Sequence, residues 1–304
     1  MRKNLFLVFI LLVIVGQSKG QQHSLYSQYI FNLYAINPAY AGERNAAATA
    51  LSYRNQWVGF EGSPKTAYFS AHSPIRNNNL AIGLWFQNDQ VGAREHSSFH
   101  GTVSYKLRLD KNRRLSFALS GGALNHRYNW NELDFPDGSD PVAFVNEPNQ
   151  WRPIFDFGMM YLARQGYAGI SILNINSPDL SALDVIDVRL NPSMNLIGGY
   201  IFPISKKIDL KPSTLIRAQT DGSWTLDANL SARFIDKLWV TLTYRYQFGM
   251  VFSGHLYIND NFHFGYSYDL TTNSLLSQQS GTHEIFIGYD IGLYRNKSSA
   301  RAKF

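Results

Sequence analysis

Eight histidines, 22 acidic residues and no cysteine are the raw material for catalysis or metal binding in this chain of 304 residues. The histidines stand at 23, 72, 96, 100, 126, 255, 263 and 283. None joins a glutamate in the i, i+4 order by which a zinc protease presents two imidazoles and a base on one helix face. His283-Glu284 lacks the second histidine. There is no Gly-x-Ser-x-Gly elbow, no glycine-rich phosphate loop ahead of a helix and no EF-hand loop. His126 and Asp134 are the type of loop-borne pair a surface hydrolase uses, but a chain this polar supplies such pairs by chance. The lack of cysteine removes a disulfide scaffold, a Cys-based zinc site and a lipid-anchored N-terminal cysteine. The residues predict a non-enzyme with no catalytic centre, no metal and no cofactor.

The composition suits a membrane wall better than a soluble enzyme. Hydrophobic residues make up 45% and aromatics 14%, while charged residues reach only 16%. Soluble domains usually carry about 25% charge, and disorder is excluded by the apolar content. Residues 1–20 have the layout of a signal peptide: Arg2-Lys3, an apolar run from Leu5 to Val15, then a small and polar exit through Gly20. Cleavage after Gly20 is expected. It removes Arg2, Lys3 and Lys19 and lowers the net charge from +6 to +3. No later apolar run reaches the roughly 18 residues of a spanning helix. The protein is expected to be exported, as a soluble protein or as an outer-membrane barrel.

From about residue 45 the hydrophobic pattern has period two, the mark of a half-buried strand. Trp224, Leu226, Ala228, Leu230, Ala232 and Phe234 share one face, and Thr225, Asp227, Asn229, Ser231 and Arg233 the other. Fourteen strands are expected, most of them near the 9–11 residues that cross a bilayer at a tilt. Their limits fall near 45–55, 65–73, 80–87, 98–109, 114–126, 152–162, 167–174, 192–202, 208–217, 223–234, 238–246, 251–258, 262–268 and 284–294. Short turns such as 110–113, 163–166 and 205–207 alternate with connections of which several are much longer, notably 127–151, 174–191 and 269–283. An even strand number with this alternation indicates an all-β, transmembrane antiparallel barrel. A sandwich or propeller would also alternate, but would leave edges to protect.

Charge and aromatics refine the picture. The long connections are net acidic, and the short turns and the tail 295–304 are net basic. Lys106, Arg108, Asp209, Lys211, Arg217, Asp227, Arg233, Arg245, Asp269, Glu284 and Asp290 fall on lumen-facing positions, where ion pairing is expected. Trp85, Phe86, Trp239, Tyr244, Tyr246, Tyr257, Tyr289 and Tyr294 lie near strand ends, as interfacial girdles do. No basic-aromatic stripe suits nucleic acid.

Three motifs carry a resemblance to a known family. The first is Gln28-Tyr29-Ile30-Phe31-Asn32 followed by Ile36-Asn37-Pro38-Ala39-Tyr40-Ala41-Gly42. The second runs from Gln56 through Trp57, Val58, Gly59, Phe60, Glu61, Gly62, Ser63 and Pro64 to Thr66, and the third is Gly281-Thr282-His283-Glu284-Ile285. Together they resemble the PorP/SprF family of type IX secretion system outer-membrane proteins of Bacteroidetes. The resemblance implies a non-enzymatic barrel of about fourteen strands. It also implies one of two roles: partner of a secreted adhesin whose C-terminal domain it receives and anchors, as in gliding motility, or a core component contacting the periplasmic ring. The cargo-partner role is the one expected here. Outer-membrane lipid is the other partner, with no nucleic acid and no small-molecule substrate.

The expected layout is a signal peptide over 1–20, a periplasmic or plug-like segment over 21–43, the barrel over 44–294 and a basic tail over 295–304. Tyr26, Tyr29, Ile30, Leu33 and Tyr34 give the segment an aromatic, partly helical face ahead of the Asn37-Pro38 break. Tyr26, Tyr29, Phe31, Asn37, Pro38 and Tyr40 are its candidate packing residues, entering the lumen from the periplasmic side. In the first loop, Gly59 and Gly62 permit tight turning, Pro64 fixes it, and Trp57 and Phe60 supply large anchors. These five are the candidate partner-binding residues, although packing over the barrel mouth would use them equally well. A transporter of hydrophobic small molecules is the main rival, and it requires an apolar lumen pocket.

Overall fold

The computed structural model describes residues 25–44, 46–75, 79–129, 150–180, 189–272 and 279–292. Its strands are β1 Ala46–Asn55, β2 Lys65–Pro74, β3 Leu80–Val91, β4 Arg94–Arg108, β5 Arg114–Tyr128, β6 Gln150–Leu162, β7 Gly166–Leu173, β8 Ser193–Tyr200, β9 Phe202–Pro203, β10 Ile208–Gln219, β11 Trp224–Phe234, β12 Leu238–Arg245, β13 Gly249–Tyr257, β14 Phe262–Thr271 and β15 Thr282–Gly292. β8 and β9 lie in a single register on β10, with Gly199 opposite Ser213 and Phe202 opposite Leu210. They are one strand, broken beside Pro212, which has no N–H to donate to the ladder. The barrel therefore has fourteen strands, as the periodicity indicates. Each pairs antiparallel with the next, and β1 pairs with β15 from Ala46 opposite Gly292 to Asn55 opposite His283. Closure gives every strand a paired neighbour on each side, so the sheet has no edge strand to expose to hydrocarbon.

The two faces are inverted relative to a soluble protein. In β12 Trp239, Thr241, Thr243 and Arg245 are buried inside, and Leu238, Val240, Leu242 and Tyr244 are exposed outside. Leu84, Phe99, Val103, Leu119, Phe155, Leu230, Phe252 and Ile287 continue the exposed apolar surface around the wall. Serines, threonines and paired charges fill the inner face. Of the expected girdle, Phe86, Tyr244 and Tyr289 point outward, but Trp239 and Tyr257 are buried in the lumen. Strand parity, which nearness to a strand end does not report, decides the side. Tyr294, the tail and the signal peptide lie outside the described residues.

The start of β1 and the end of β15 lie at one rim, together with the turns 109–113, 163–165, 204–207, 235–237 and 258–261. The opposite rim carries the long connections 129–149, 174–192 and 272–281. It also carries short ones: β3 and β4 are joined by Gly92-Ala93 alone, and β12 and β13 by residues 246–248. Asp89, Arg94, Glu95 and Asp269, counted from the sequence with the long connections, belong to strands. Asp89 and Asp269 are buried inside the barrel mouth.

Ion pairs bind the inner faces across strands. Arg245 Nε donates to Asp227 at 2.9 Å and Nη1 to Asp269 at 3.2 Å. Arg54 reaches Asp269 at 2.6 Å and Glu284 at 3.2 Å. Arg44 holds Asp290 at 2.9 Å, and Arg233 pairs with Asp209. Lys211 sits over the Trp239 ring, 4.8 Å from its centroid. Arg108, expected inside, is exposed at the short-turn rim. Replacing Arg245 by leucine strips two buried carboxylates of a shared cation. A loss of about 3–5 kcal/mol is expected, measurable by denaturant unfolding of the detergent-folded barrel.

Candidate functional site

Residues 25–44 run inside the barrel through three short 3-10 turns, Gln28–Phe31, Leu33–Ala35 and Pro38–Tyr40. All twenty are buried. The run begins at the long-loop rim, where Leu25 lies beside Gln56, Trp57 and Phe248. It ends at the short-turn rim, where Gly42 N–H donates to His72 Nδ1 at 3.0 Å and Glu43 pairs with Arg114. The segment thus spans the lumen from one mouth to the other and joins β1 at the short-turn rim. Pro38 bars a continuous α-helix through the segment and opens its third turn.

At the long-loop end, Glu284 accepts the Ser27 and Gln28 backbone N–H groups at 2.6 and 3.2 Å. Ser27 Oγ donates to Asp269 at 2.9 Å and accepts from Arg54 at 3.0 Å. Arg245 donates to the Tyr26 carbonyl at 3.2 Å. The ion pairs that tie β1, β12, β14 and β15 together therefore also grip the segment. At the other end, the Arg44 guanidinium joins Asp290 to the Phe31 carbonyl, 2.7 Å away.

Asn37 is the central fastening. Its Oδ1 caps the third turn by accepting Ala39 N–H at 2.9 Å. Its Nδ2 donates to the Met159 and Ile170 carbonyls, each at 3.1 Å. The wall leaves space for it: a Cβ on Gly158 would stand 2.3 Å from Asn37 Oδ1. Tyr34 likewise lies over Gly83 and donates to Thr102 at 2.8 Å. Tyr29 accepts Asn229 Nδ2 at 2.9 Å, Tyr26 meets Tyr68 edge-on at 4.9 Å, and Phe31 stacks on His255 at 4.0 Å. Pro38 and Tyr40 complete the buried cluster.

The first loop closes over this end. Trp57 takes φ 50°, with Gly59 and Gly62 also at positive φ. Val58 N–H donates to the Gly281 carbonyl, Ser280 N–H returns to Val58, and Trp57 N–H reaches Thr282 Oγ1 at 3.1 Å. Gln56 N–H donates to the Pro64 carbonyl and closes the loop base. Phe60 remains 43% exposed, and Trp57 is half-buried toward Leu25. All three sequence motifs thus meet at one mouth: the start of the inner segment, the Trp57 loop and the stretch from Gly281 to Glu284. Arg44, Arg54, Asn32 and Glu43 also hold the segment and were not singled out in the sequence. Arg54 sits at an inward parity in β1, a signal that was legible, whereas Arg44 precedes any strand.

Small cavities remain inside the barrel among the described residues. One cavity of about 50 Å³ lies under the long-loop mouth between Trp85, Asp89, His100, Asp156 and Asn174. Two others, beside Leu25 and Phe31, hold about 20 and 10 Å³. An apolar cavity of about 150 Å³ is the scale that accepts a benzene. His100 Nδ1 lies 2.8 Å from Asp156, whose other oxygen accepts Asn174 N–H at 2.8 Å. Among the described residues no His, Asp and Glu grouping suits a metal ion.

Two substitutions test what fastens the segment. Asn37→Ala removes a cap and two wall contacts, with an expected cost of about 1–3 kcal/mol. Gly158→Leu fills the space Asn37 uses and should displace the segment while the barrel still closes. Limited proteolysis of residues 25–44 in the detergent-folded protein, with heat-modifiable migration as the barrel control, separates the two effects.

Comparison with known proteins agrees with this architecture. No curated protein sequence matches the chain. Among solved structures it is similar to the CymD monoaromatic hydrocarbon channel, with 10% identity over 91% of this chain and 95% of that one and a TM-score of 0.53. It is also similar to the toluene transporter TbuX of Ralstonia pickettii, with 9% identity, 86% and 93% coverage and a TM-score of 0.51. Identities this low establish a shared barrel fold and leave function to the site. The model of the type IX secretion system membrane protein PorP/SprF matches residues 18–289 and so most of the barrel and all of its inner segment. The chain belongs to the PorP/SprF family.

Proposed function

We propose that this barrel acts in the outer membrane as a docking partner for a secreted adhesin-like protein, receiving or anchoring its C-terminal domain at the long-loop mouth. The observation carrying this reading is the inner segment: twenty buried residues occupy the lumen and are held at both ends by ion pairs. A barrel filled this way offers surfaces to partners instead of a wide aqueous path. The segment serves as its plug. Short turns face the periplasm in barrels of this class, so the long-loop mouth is the outer one. There Phe60 stands exposed on a loop whose backbone is fixed by Gly281 and Thr282. Exposed aromatics on rigid backbones are typical anchors of protein interfaces.

Family membership supports the type IX secretion context, and the family is not one of enzymes. Transport of hydrophobic small molecules has less support, because the inner face is charged and the 50 Å³ cavity beneath the long-loop mouth is lined by carboxylates and imidazoles. The core-component role would engage the opposite, basic rim through turns such as Ser205-Lys206-Lys207.

Phe60→Ala is expected to lower surface-retained adhesin several-fold with barrel levels unchanged, measured by antibody labelling of intact cells. Trp57→Ala adds a packing loss and should also loosen the loop. Loss of all type IX cargo, in place of one adhesin, would assign the core role. Deleting residues 22–40 should convert a closed barrel into a conducting one in planar bilayers. An unchanged closed trace would argue against a plug.

A further inference from the structure

Seven carboxylates are buried among the described residues: Glu43, Asp89, Asp156, Asp227, Asp269, Glu284 and Asp290. Six have a basic side chain within ion-pair distance: Arg114, His100, Arg245, Arg54, Arg54 and Arg44 stand against Glu43, Asp156, Asp227, Asp269, Glu284 and Asp290. Asp89 differs. It is 6% exposed and accepts one hydrogen bond, from Thr66 Oγ1 at 2.5 Å, and no basic side chain among the described residues pairs with it. Burying a carboxylate without a counter-charge is costly, and folded chains ordinarily avoid it.

The surroundings indicate what is missing. Asp89 lines the 50 Å³ cavity beneath the long-loop mouth, facing Trp85, His100 and Asp156. The Trp85 indole N–H is buried there with no acceptor. The same cavity thus holds an acceptor lacking a cation and a donor lacking a carbonyl. In sequence, residues 130–149, 181–188 and 273–278 of the outer connections include neither lysine nor arginine. Their sequence is acidic, with Glu132, Asp134, Asp137, Asp140, Glu147, Asp184 and Asp187, and acidic stretches favour positively charged partners.

We propose that the cavity is a recognition pocket for a basic side chain, lysine or arginine, of a polypeptide docking at the long-loop mouth. Asp89 is its counter-ion, the Trp85 ring flanks the aliphatic stem, and the indole N–H receives a peptide carbonyl. The volume suits an ammonium or guanidinium head and falls short of an aromatic ring. This inference rests on the docking role proposed above and adds the chemistry of the partner: a segment with an exposed basic residue.

The test uses the full-length protein in detergent micelles, titrated calorimetrically with acetyl-Gly-Lys-Gly-amide, its Nε-acetylated form and methylammonium chloride. The lysine peptide is expected to bind saturably at one site. The acetylated peptide should not bind, and methylammonium should bind more weakly. Asp89→Asn, nearly isosteric, should lower peptide affinity about tenfold or more, and Trp85→Phe should lower it by a smaller factor. Heat-modifiable migration reports folding for both variants. Undiminished binding to folded Asp89→Asn, or no binding to the natural sequence, overturns the pocket. Methylammonium binding as tightly as the peptide makes it a site for free cations and overturns the polypeptide assignment. In cells, an Asp89→Asn barrel that loses peptide binding yet retains its adhesin refutes the pocket's part in docking, whereas the docking role itself falls if the Phe60→Ala barrel also retains its adhesin.

Discussion

The pairing of arginine with carboxylate inside the barrel is the interaction on which the rest of the structure depends. Lipid requires an apolar exterior and a closed backbone, so the polar residues of every strand point inward. Once a segment fills the lumen, those residues lose water and must satisfy one another. Arg54, Arg245 and Arg44 do this by bridging strands distant in sequence and bonding to the segment as well. Glu284 works from the other side, accepting two backbone N–H groups at the start of the first turn. The wall and its filling are consequently one network, and neither is satisfied without the other.

This coupling gives the long-loop mouth its character. The loop from Gln56 to Pro64 pairs with Gly281, the residue before the Thr282 that begins β15, and Glu284 on that strand holds Ser27. A contact made on the loop therefore rests on backbone tied through one strand to the inner segment. Partner-facing residues on such a base are presented with little conformational freedom to lose. The structural relatives show how little the barrel alone decides. A hydrocarbon channel and a toluene transporter share the fold, while here the inner surface is charged and occupied. Function is set by what lines and fills the lumen.

Much was legible in the chain itself. All fourteen strands stand near the positions that period-two alternation assigns, because lipid on one side and a polar lumen on the other impose strict alternation. The Asn37-Pro38 break appears as a cap and proline at the first helical position, a local signal needing no tertiary information. The inward charges were also visible by parity, apart from Arg108 at an open rim where parity loses its meaning.

The tertiary structure decided the rest. Alternation says which residues face inward but not which face each other, since Arg54 and Glu284 meet only because β1 and β15 close the barrel. The direction of the inner segment follows from long-range bonds at its two ends, which composition cannot encode. The same holds for Trp239 and Tyr257, placed inside by parity within strands whose ends the sequence fixes only loosely. Asp89 illustrates the division best. In the chain it is one of several acids near a turn, and only the folded barrel shows it buried without the basic partner that the other buried carboxylates have found. The sequence determined the wall, through a solvent difference acting on every residue. The contents of the lumen were decided by closure, which brings together charges that no local rule relates.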